Sequence, residues 1–301
     1  TSASYFDALK DLSYKPTYRN LDGNEYKNWK TVEITNNWGE IEDKEMWWAT
    51  FDFKLATDHL LGDENLGFMW GYQYHQADLN TVVYTSKNIT DKQQTEVKSD
   101  VGGETQLHSG FAQIDYDFLG DFNIMAGARL DHWSTSGGHD FKASGHTLIN
   151  GNKVNNLPET SGAWDREQTR VSPKASISWE PNEFSARYSF SRAYRFALAQ
   201  ELFESVSAGA SKSLPDPSLG PESGNFHNLR LAYEIPEGLV SVDFFYDTKE
   251  NEIMNTRKVV DGQNLSTFLG IDKTETIGVT MVYKQDNLFD LPLDLNLNGT
   301  W

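Results

Sequence analysis

The 301-residue sequence contains no cysteine, which excludes disulfide bonds, thiolate zinc sites and cysteine nucleophiles in this chain. Basic residues are also scarce, since 26 Lys and Arg stand against 44 Asp and Glu, a formal net charge of −18. A surface that binds nucleic acid needs a basic patch, so this balance argues against a nucleic-acid partner. No apolar run reaches about 18 residues, which excludes a membrane-spanning helix.

The motifs of common enzymes are missing as well. The sequence has no Gly-x-Ser-x-Gly elbow, no His-Glu-x-x-His zinc motif and no phosphate-binding loop. Carboxylates are so numerous that no pair stands out as a general acid and base. His139 and His146 have no third ligand nearby and indicate no metal site. These residues therefore indicate no particular catalytic, cofactor or metal site.

The main positive feature is alternation of apolar and polar residues with period two, which gives a β-strand one apolar face. Most of the alternating segments approach the roughly 9–11 residues that a tilted strand needs to cross a bilayer. Charged residues keep to the polar parity, except Arg192, which lies near a loop where its side chain can reach water. The segments are 47–55, 66–74, 110–118, 122–130, 171–179, 184–190, 229–233, 240–246, 277–283 and 291–297.

The connections between these segments alternate in length, as in outer-membrane barrels, which have short periplasmic turns and longer outer loops. Short turns fall near 62–63, 120, 181–182, 236–237 and 286–287, and long polar segments cover about 79–105, 135–165, 196–223 and 250–272. Aromatic residues beside the short turns suit a girdle at the membrane–water boundary. They are Phe118, Phe122, Trp179, Phe184, Tyr233 and Tyr283.

These patterns predict an all-β protein, a transmembrane antiparallel up-and-down β-barrel of which the chain supplies ten or eleven strands. A soluble β-sandwich or propeller enzyme would share the alternation and is the alternative from a different class. Residues 1–45 match no motif, although 29–38 has the character of one further strand.

Residues 166–283 contain an ordered set of motifs that resembles the barrel of TonB-dependent outer-membrane receptors. The set comprises Arg170–Ala175, Ser189–Arg195, Gln200–Phe203 and Pro215–Glu222. Two positions depart from the family pattern: Ala197 stands where Pro is usual, and Asp216 stands where Asn is usual. The resemblance implies a barrel of roughly 22 strands closed by an N-terminal plug. We therefore expect residues 1–301 to be a partial barrel domain, with the plug absent from this chain.

The resemblance also implies a function in transport and not catalysis, without a cofactor, in the outer membrane of a Gram-negative bacterium. Such a receptor binds a scarce ligand and imports it with energy that the TonB–ExbB–ExbD system delivers through the plug. Outer-membrane lipid and lipopolysaccharide would surround the barrel. The resemblance favours a ferric siderophore, a small-molecule iron chelate, as the ligand. Haem, cobalamin or a carbohydrate on the same fold, and a passive porin, are the alternatives.

Four residues at the outer mouth are candidates for ligand binding: Trp133, Trp164, Tyr194 and Arg195. Tyr194 offers an aromatic face, and Arg195 offers a cation with a fixed fork of donors. In the competing interpretation, Tyr194 is a girdle aromatic and Arg195 pairs with a carboxylate in the lumen.

Haem receptors of the family resemble one another in carrying a His between the two motifs at 189–195 and 215–222. Residues 196–222 contain no His in this chain. His139 and His146 in the preceding loop are the alternative candidates for an axial haem ligand.

Overall fold

The computed structural model describes residues 2–16, 39–143, 146–149, 152–155, 159–162, 164–204, 206–208, 211–260 and 263–301. The further strand predicted at 29–38 lies outside the described residues, and so does the side chain of His146. Among the residues that are described, no helix is long and apolar enough to cross a bilayer.

The described chain is built almost entirely of β-strands, ten of which have twelve or more residues. One short helix, α1 (Ala199–Phe203), and two 3-10 turns, Leu60–Gly62 and Leu288–Asp290, complete it. The strands are β1 (Ser2–Pro16), β2 (Gly39–Thr57), β3 (Leu66–Ser86), β4 (Val97–Phe118), β5 (Phe122–Lys142), β6 (His146–Ile149), β7 (Asn152–Asn155), β8 (Glu159–Gly162), β9 (Arg166–Trp179), β10 (Phe184–Arg195), β11 (Val206–Ala208), β12 (Ser211–Leu214), β13 (Glu222–Ile235), β14 (Gly238–Val260), β15 (Gln263–Gln285) and β16 (Leu295–Thr300).

The long strands form one sheet in up-and-down order, β1-β2-β3-β4-β5-β9-β10-β13-β14-β15, with β16 added beside β15. Every neighbouring pair along this path is antiparallel, as hairpin connections require. The short strands β6, β7, β8, β11 and β12 belong to the connections at the outer end. The prediction of an all-β antiparallel sheet with ten or eleven barrel strands is confirmed.

The two faces of this sheet differ in exposure. On the apolar parity, Ile114, Ile177, Leu229 and Phe244 remain 39–48% exposed. A soluble sandwich would bury such side chains against a second layer, whereas a barrel turns them toward lipid. On the opposite parity, three serines at positions 109, 178 and 241 are at most 2% exposed. We call the first face outward and the second face luminal.

Four of the six aromatic residues next to the short turns form a continuous row on the outward face. The ring centroids of Phe118 and Phe122 are 5.3 Å apart, and those of Phe122 and Trp179 are 6.1 Å apart. Phe184 continues the row with an edge contact to Trp179 at 5.8 Å. The row crosses four neighbouring strands at one height, as a membrane girdle does.

The structure corrects the extent of two of the predicted loops. The short turns are where they were expected, but much of the segments 79–105 and 250–272 is paired strand rather than loop. Outside the bilayer both faces of a strand can be polar, so the hydrogen-bonded ladder continues where the alternation fades.

The structure also corrects the ends of the chain. Strand β1 was not predicted, because charged residues interrupt its alternation and its register shifts between Ala8 and Asp11. The predicted strand at 291–297 instead begins at Leu295, after a turn that contains Pro292.

Candidate ligand-binding site

Residues 196–204, which open the connection between β10 and β13, lie over the luminal face of the sheet, and we call them the strap. Its helix α1 packs against β3, β4 and β5. Leu202 is 0% exposed and Phe203 is 1% exposed, so the strap contributes two of the most buried side chains in the described chain. The compact apolar core of this half-barrel therefore lies on its luminal side, beneath the strap.

Phe203 is seated where two glycines leave room for its ring. A Cβ atom at Gly103 would lie 2.7 Å from this ring, and one at Gly138 would lie 3.0 Å from it. Trp164 stacks on the other side, with ring centroids 6.1 Å apart and planes 12° from parallel. At the end of α1, Glu204 forms an ion pair with Lys44 of β2. These contacts tie the strap to a wall built by β2, β4 and β5.

A second aromatic pair lies next to this seat. Trp133 of β5 stacks on Phe196 of the strap, with ring centroids 5.5 Å apart and planes 12° from parallel. The Arg166 guanidinium lies 5.6 Å from the Trp133 ring centroid, within the range of a cation–π contact. Trp133 is 4% exposed, so most of its surface is already covered by these neighbours.

Arg195 at the end of β10 joins the strap to the sheet through two carboxylates. Its Nη1 donates to Glu201 Oε2 at 3.0 Å, and its Nη2 donates to Glu222 Oε1 at 2.8 Å. Glu222 Oε1 also accepts the Ile253 backbone N–H at 2.7 Å, and Glu201 Oε2 accepts the Leu198 N–H at 2.8 Å. Burial alone would lower the pKa of Arg195, but hydrogen bonds and ion pairs with the two carboxylates raise it above its usual value.

Between the strap and the luminal wall lies a cavity of about 670 Å³, within the size range of sites for small organic ligands. Its apolar lining comes from β2 to β5, β10 and the strap. Its charged side chains are Arg129 and Arg195 together with Asp78 and Asp131. Residues that line it include Met46, Leu79, Leu107, Trp133, Tyr194 and Phe196.

Arg129 and Asp131 of this lining form a bonded triad with Ser109. Arg129 Nε donates to Asp131 Oδ1 at 2.6 Å, and Arg129 Nη2 donates to Ser109 Oγ at 2.7 Å. The Ser109 hydroxyl in turn donates to Asp131 Oδ1 at 2.6 Å. The triad holds the Arg129 side chain in one position on the cavity wall.

The structure brings three of the four candidate residues together, since Trp133, Tyr194 and Arg195 all line the cavity. Trp164 lies behind it, against Phe203. The observed pairing of Arg195 with two carboxylates is the geometry of the competing interpretation, and ligand binding by these four residues stays a prediction. The sequence analysis missed Arg129 and Phe196. Arg129 was visible on the polar parity of its strand, whereas nothing local indicates how Phe196 is placed.

His139 lies apart from the cavity. Its Nε2 lies 3.0 Å from Asp100 Oδ1, and its Nδ1 lies 2.8 Å from the Gly137 carbonyl oxygen. Burial lowers the pKa of His139, but the Gly137 carbonyl and Asp100 outweigh this and raise it above 6.5. In the described part of the chain, no group of three or more His, Asp or Glu residues is close enough to hold a metal ion.

The family model described as "TonB dependent receptor-like, beta-barrel" matches residues 2–301. The chain belongs to the TonB-dependent receptor β-barrel family. Members of this family are β-barrels of the Gram-negative outer membrane and are transporters rather than enzymes, as the sequence predicted. No curated protein sequence matches the chain.

Solved structures of TonB-dependent receptors share its fold at low identity. The hemophore receptor HasR of Serratia marcescens, solved with its hemophore HasA and heme, has a TM-score of 0.57 at 16% identity over 82% of this chain and 40% of that chain. The copper transporter OprC has a TM-score of 0.56 at 12% identity over 94% of this chain and 40% of that chain.

A third similar structure is the ferric yersiniabactin uptake receptor FyuA from Yersinia pestis. Its TM-score is 0.50 at 12% identity, over 88% of this chain and 37% of that chain. The chain thus spans about 40% of the length of the receptors it resembles. At these identities the likeness concerns the fold alone.

Proposed function

We propose that this protein is the barrel part of a receptor that imports a ferric siderophore across the outer membrane. Energy would come from the TonB–ExbB–ExbD system through the plug of the receptor. The observation that carries the proposal is the cavity under the strap, which combines aromatic walls with Arg129 and Arg195 on the luminal face. In this family the lumen is the route of the ligand, so a site on the luminal wall lies on that route.

The chemistry of the cavity suits a large chelate with a delocalised anionic surface. Tyr194 and Phe196 offer aromatic faces, and Arg129 supplies a cation whose position the triad with Ser109 and Asp131 holds fixed. A fixed guanidinium loses little entropy when it meets an anion, which favours affinity. The iron would be part of the cargo and not a resident metal of the protein.

The test is ligand binding by the full-length receptor in detergent, with a panel of catecholate, hydroxamate and mixed ferric siderophores. Haemin, cobalamin and oligosaccharides form the comparison arms. We expect one ferric siderophore class to bind, and Arg129→Gln to weaken it about tenfold or more through loss of a charge-assisted hydrogen bond. Binding of a comparison ligand but of no siderophore would contradict the proposal. Equal growth with and without the receptor, when a ferric siderophore is the iron source, would contradict it as well.

Haem is the second candidate, since the receptor HasR that shares the fold was solved with heme. Residues 196–222 contain no His, and His139 is already engaged by Asp100 and Gly137. These observations favour the siderophore. A haemin absorbance titration decides between the two ligands, because axial ligation by a histidine produces a distinct Soret shift.

A further inference from the structure

Strands β9 and β10 separate toward the outer end of the sheet. Their hydrogen-bonded ladder ends at the pair Ser191 and Lys174, although β9 begins at Arg166 and β10 continues to Arg195. Pro173 lies where the ladder ends, and its nitrogen has no hydrogen to donate to a neighbouring strand. Beyond this point β9 stays bonded to β5, and β10 stays bonded to β13. A cleft therefore opens between the two strands.

Two arginines and one tyrosine meet at this cleft. The Arg192 guanidinium lies 5.1 Å from the Tyr194 ring centroid, and the Arg170 guanidinium lies 5.8 Å from it. Both distances are within the range of a cation–π contact. Tyr194 also lines the cavity under the strap, and so do Ser172 and Ala193 beside the arginines. These three residues, Arg170, Arg192 and Tyr194, which we call the arginine cluster, thus border the cavity.

The arginine cluster has no carboxylate counter-ion in the part of the chain that the structure describes. Elsewhere Arg129 and Arg195 form ion pairs, and Arg187 lies 3.7 Å from Glu180. A shortage of carboxylates is not the reason, because 44 Asp and Glu stand against 26 Lys and Arg. Two neighbouring cations without an anion repel each other, most strongly where little water screens them.

The hydrogen bonds of the arginine cluster are incomplete as well. Among the described residues, the Nε of Arg192 is shielded from solvent and has no hydrogen-bond partner. Arg170 donates to the Thr169 carbonyl oxygen at 3.0 Å and to Gln168 Oε1 at 3.4 Å, and both acceptors are uncharged. An unpaired buried donor is costly, and an anion at the cleft would accept its hydrogen bond.

We propose that the arginine cluster binds a carboxylate of the imported chelate that does not coordinate the iron. The inference rests on the proposed function, because the cluster borders the cavity assigned to the chelate. A guanidinium fork matches the two oxygens of a carboxylate, and the Tyr194 ring holds both guanidinium groups next to the cavity. The receptor would thus select ferric chelates that carry a free carboxylate over chelates whose periphery is neutral.

The test is calorimetric titration of the full-length receptor, in detergent free of lipopolysaccharide and at low salt. Citrate is the carboxylate probe, and trimethyl citrate is the neutral match. We expect citrate to bind at least about tenfold more tightly than the ester, as charge-assisted hydrogen bonds provide. The double variant Arg170→Gln, Arg192→Gln should lose this preference, and Arg192→Lys, which keeps the charge without the fork, should be intermediate. Arg187→Gln on the same strand is the matched control and should keep the native preference.

Two results of the titration would overturn the proposal. One is a native receptor that does not prefer citrate to the ester, and the other is equal citrate binding by the native receptor and the double variant. Thermal midpoints without citrate add a second readout. The double variant should melt at the native temperature or above it, because it loses the repulsion between the two cations. A lower midpoint with unchanged citrate binding would make the arginines structural supports of Tyr194 and overturn the proposal.

A lipid phosphate could offer the same oxyanion chemistry from another source. Titration in nanodiscs with and without lipopolysaccharide distinguishes the two sources, and we expect the same citrate affinity in both. Loss of citrate binding when lipopolysaccharide is present would assign the arginine cluster to lipid and overturn the proposal.

Siderophore uptake separates this proposal from the import function. Import of a ferric siderophore by a receptor that shows no preference for citrate overturns the arginine cluster alone. Citrate binding that depends on Arg170 and Arg192, without import of any siderophore, leaves an anion site standing and overturns the import proposal.

Discussion

The turn-side half of this sheet and its outer half are stabilised in different ways. In the turn-side half, strands such as β4 and β5 present a simple outward apolar face, and Ile114 there remains 42% exposed. In the outer half, the strap covers the luminal face and buries Leu202 and Phe203 almost completely. In the turn-side half, lipid covers the outward apolar side chains. In the outer half, the strap, which is part of the chain itself, covers the apolar side chains of the luminal face. Changes of the same kind should therefore have different effects in the two halves.

The largest expected effect is the loss of the aromatic anchor of the strap. Phe203→Ala removes a ring that is 1% exposed, a change that typically costs about 3–5 kcal/mol. The loss should appear as local opening of the strap, measured by hydrogen exchange of residues 196–204, and as loss of ligand binding. Exchange in β4 near Ile114 serves as the internal control. An equal increase of exchange in the strap and in β4 near Ile114 would mean that the two halves form one cooperative unit.

The converse change addresses the outward face. Ile114→Lys places a charge toward lipid and should cost about 2–4 kcal/mol at mid-bilayer. Gln113→Lys, one residue away on the luminal face, has Asp115 as a nearby partner and should cost much less. Unfolding of the full-length barrel from liposomes by denaturant measures both. Similar costs for the two variants would contradict the assignment of the faces.

The glycine seat of Phe203 allows a matched comparison within one strand. Gly103→Ala puts a Cβ 2.7 Å from the Phe203 ring, and we expect overpacking to cost about 1–3 kcal/mol. Gly110→Ala, seven positions along the same strand, meets nothing within 4 Å and is the control. Strap exchange rates and ligand affinity are the readouts. Unchanged strap exchange rates and ligand affinity in Gly103→Ala would show that the strap shifts easily across the wall.

Arg195 holds the strap by charge rather than by packing. Arg195→Gln leaves Glu201 and Glu222 without their cation, but the arginine side chain is 40% exposed, so screening reduces the cost to about 1–2 kcal/mol. Arg187→Gln on the same strand removes only a loose contact of 3.7 Å to Glu180 and is the control. Spin-label mobility at an introduced Gln200→Cys measures the strap. Unchanged mobility in Arg195→Gln would remove Arg195 from this role.

The smallest effect concerns pH. The folded state raises the pKa of His139, so its contribution to stability is fully present below the unfolded value near 6.5. That contribution is lost as pH rises through the higher folded value. The partners are Asp100, Asp140 and the Gly137 carbonyl. Protection factors of residues 97–101, which remove the intrinsic acceleration of amide exchange with pH, should thus fall as pH rises above about 6.5 in the native protein, and His139→Gln should flatten this dependence. The same pH dependence in the native protein and in His139→Gln would contradict the role of His139.

Much of the barrel was predictable because the alternation within each strand shows which of its faces is apolar and turned toward lipid. Ile114 and Ile177 alternate with polar neighbours, and this pattern needs no knowledge of the rest of the fold. Strand β1 was not predictable in this way, because its position is set by pairing with β2 and not by its own alternation. Trp133, Tyr194 and Arg195 were singled out as single residues, and a carboxylate partner for Arg195 was one of two interpretations, but no local pattern indicates that Glu201 and Glu222 share it.

By itself the sequence determined the long strands other than β1, their two faces, the short turns and the aromatic girdle, since a period of two and a turn residue are local properties. Only the tertiary structure decided where the strap lies, that Phe203 enters the gap beside Gly103 and Gly138, and that a cavity forms beneath Phe196. The physical reason is that these features arise from contacts between segments as much as 160 residues apart. Such contacts leave no periodic trace in either segment, because each side chain fits a space that the other segment creates.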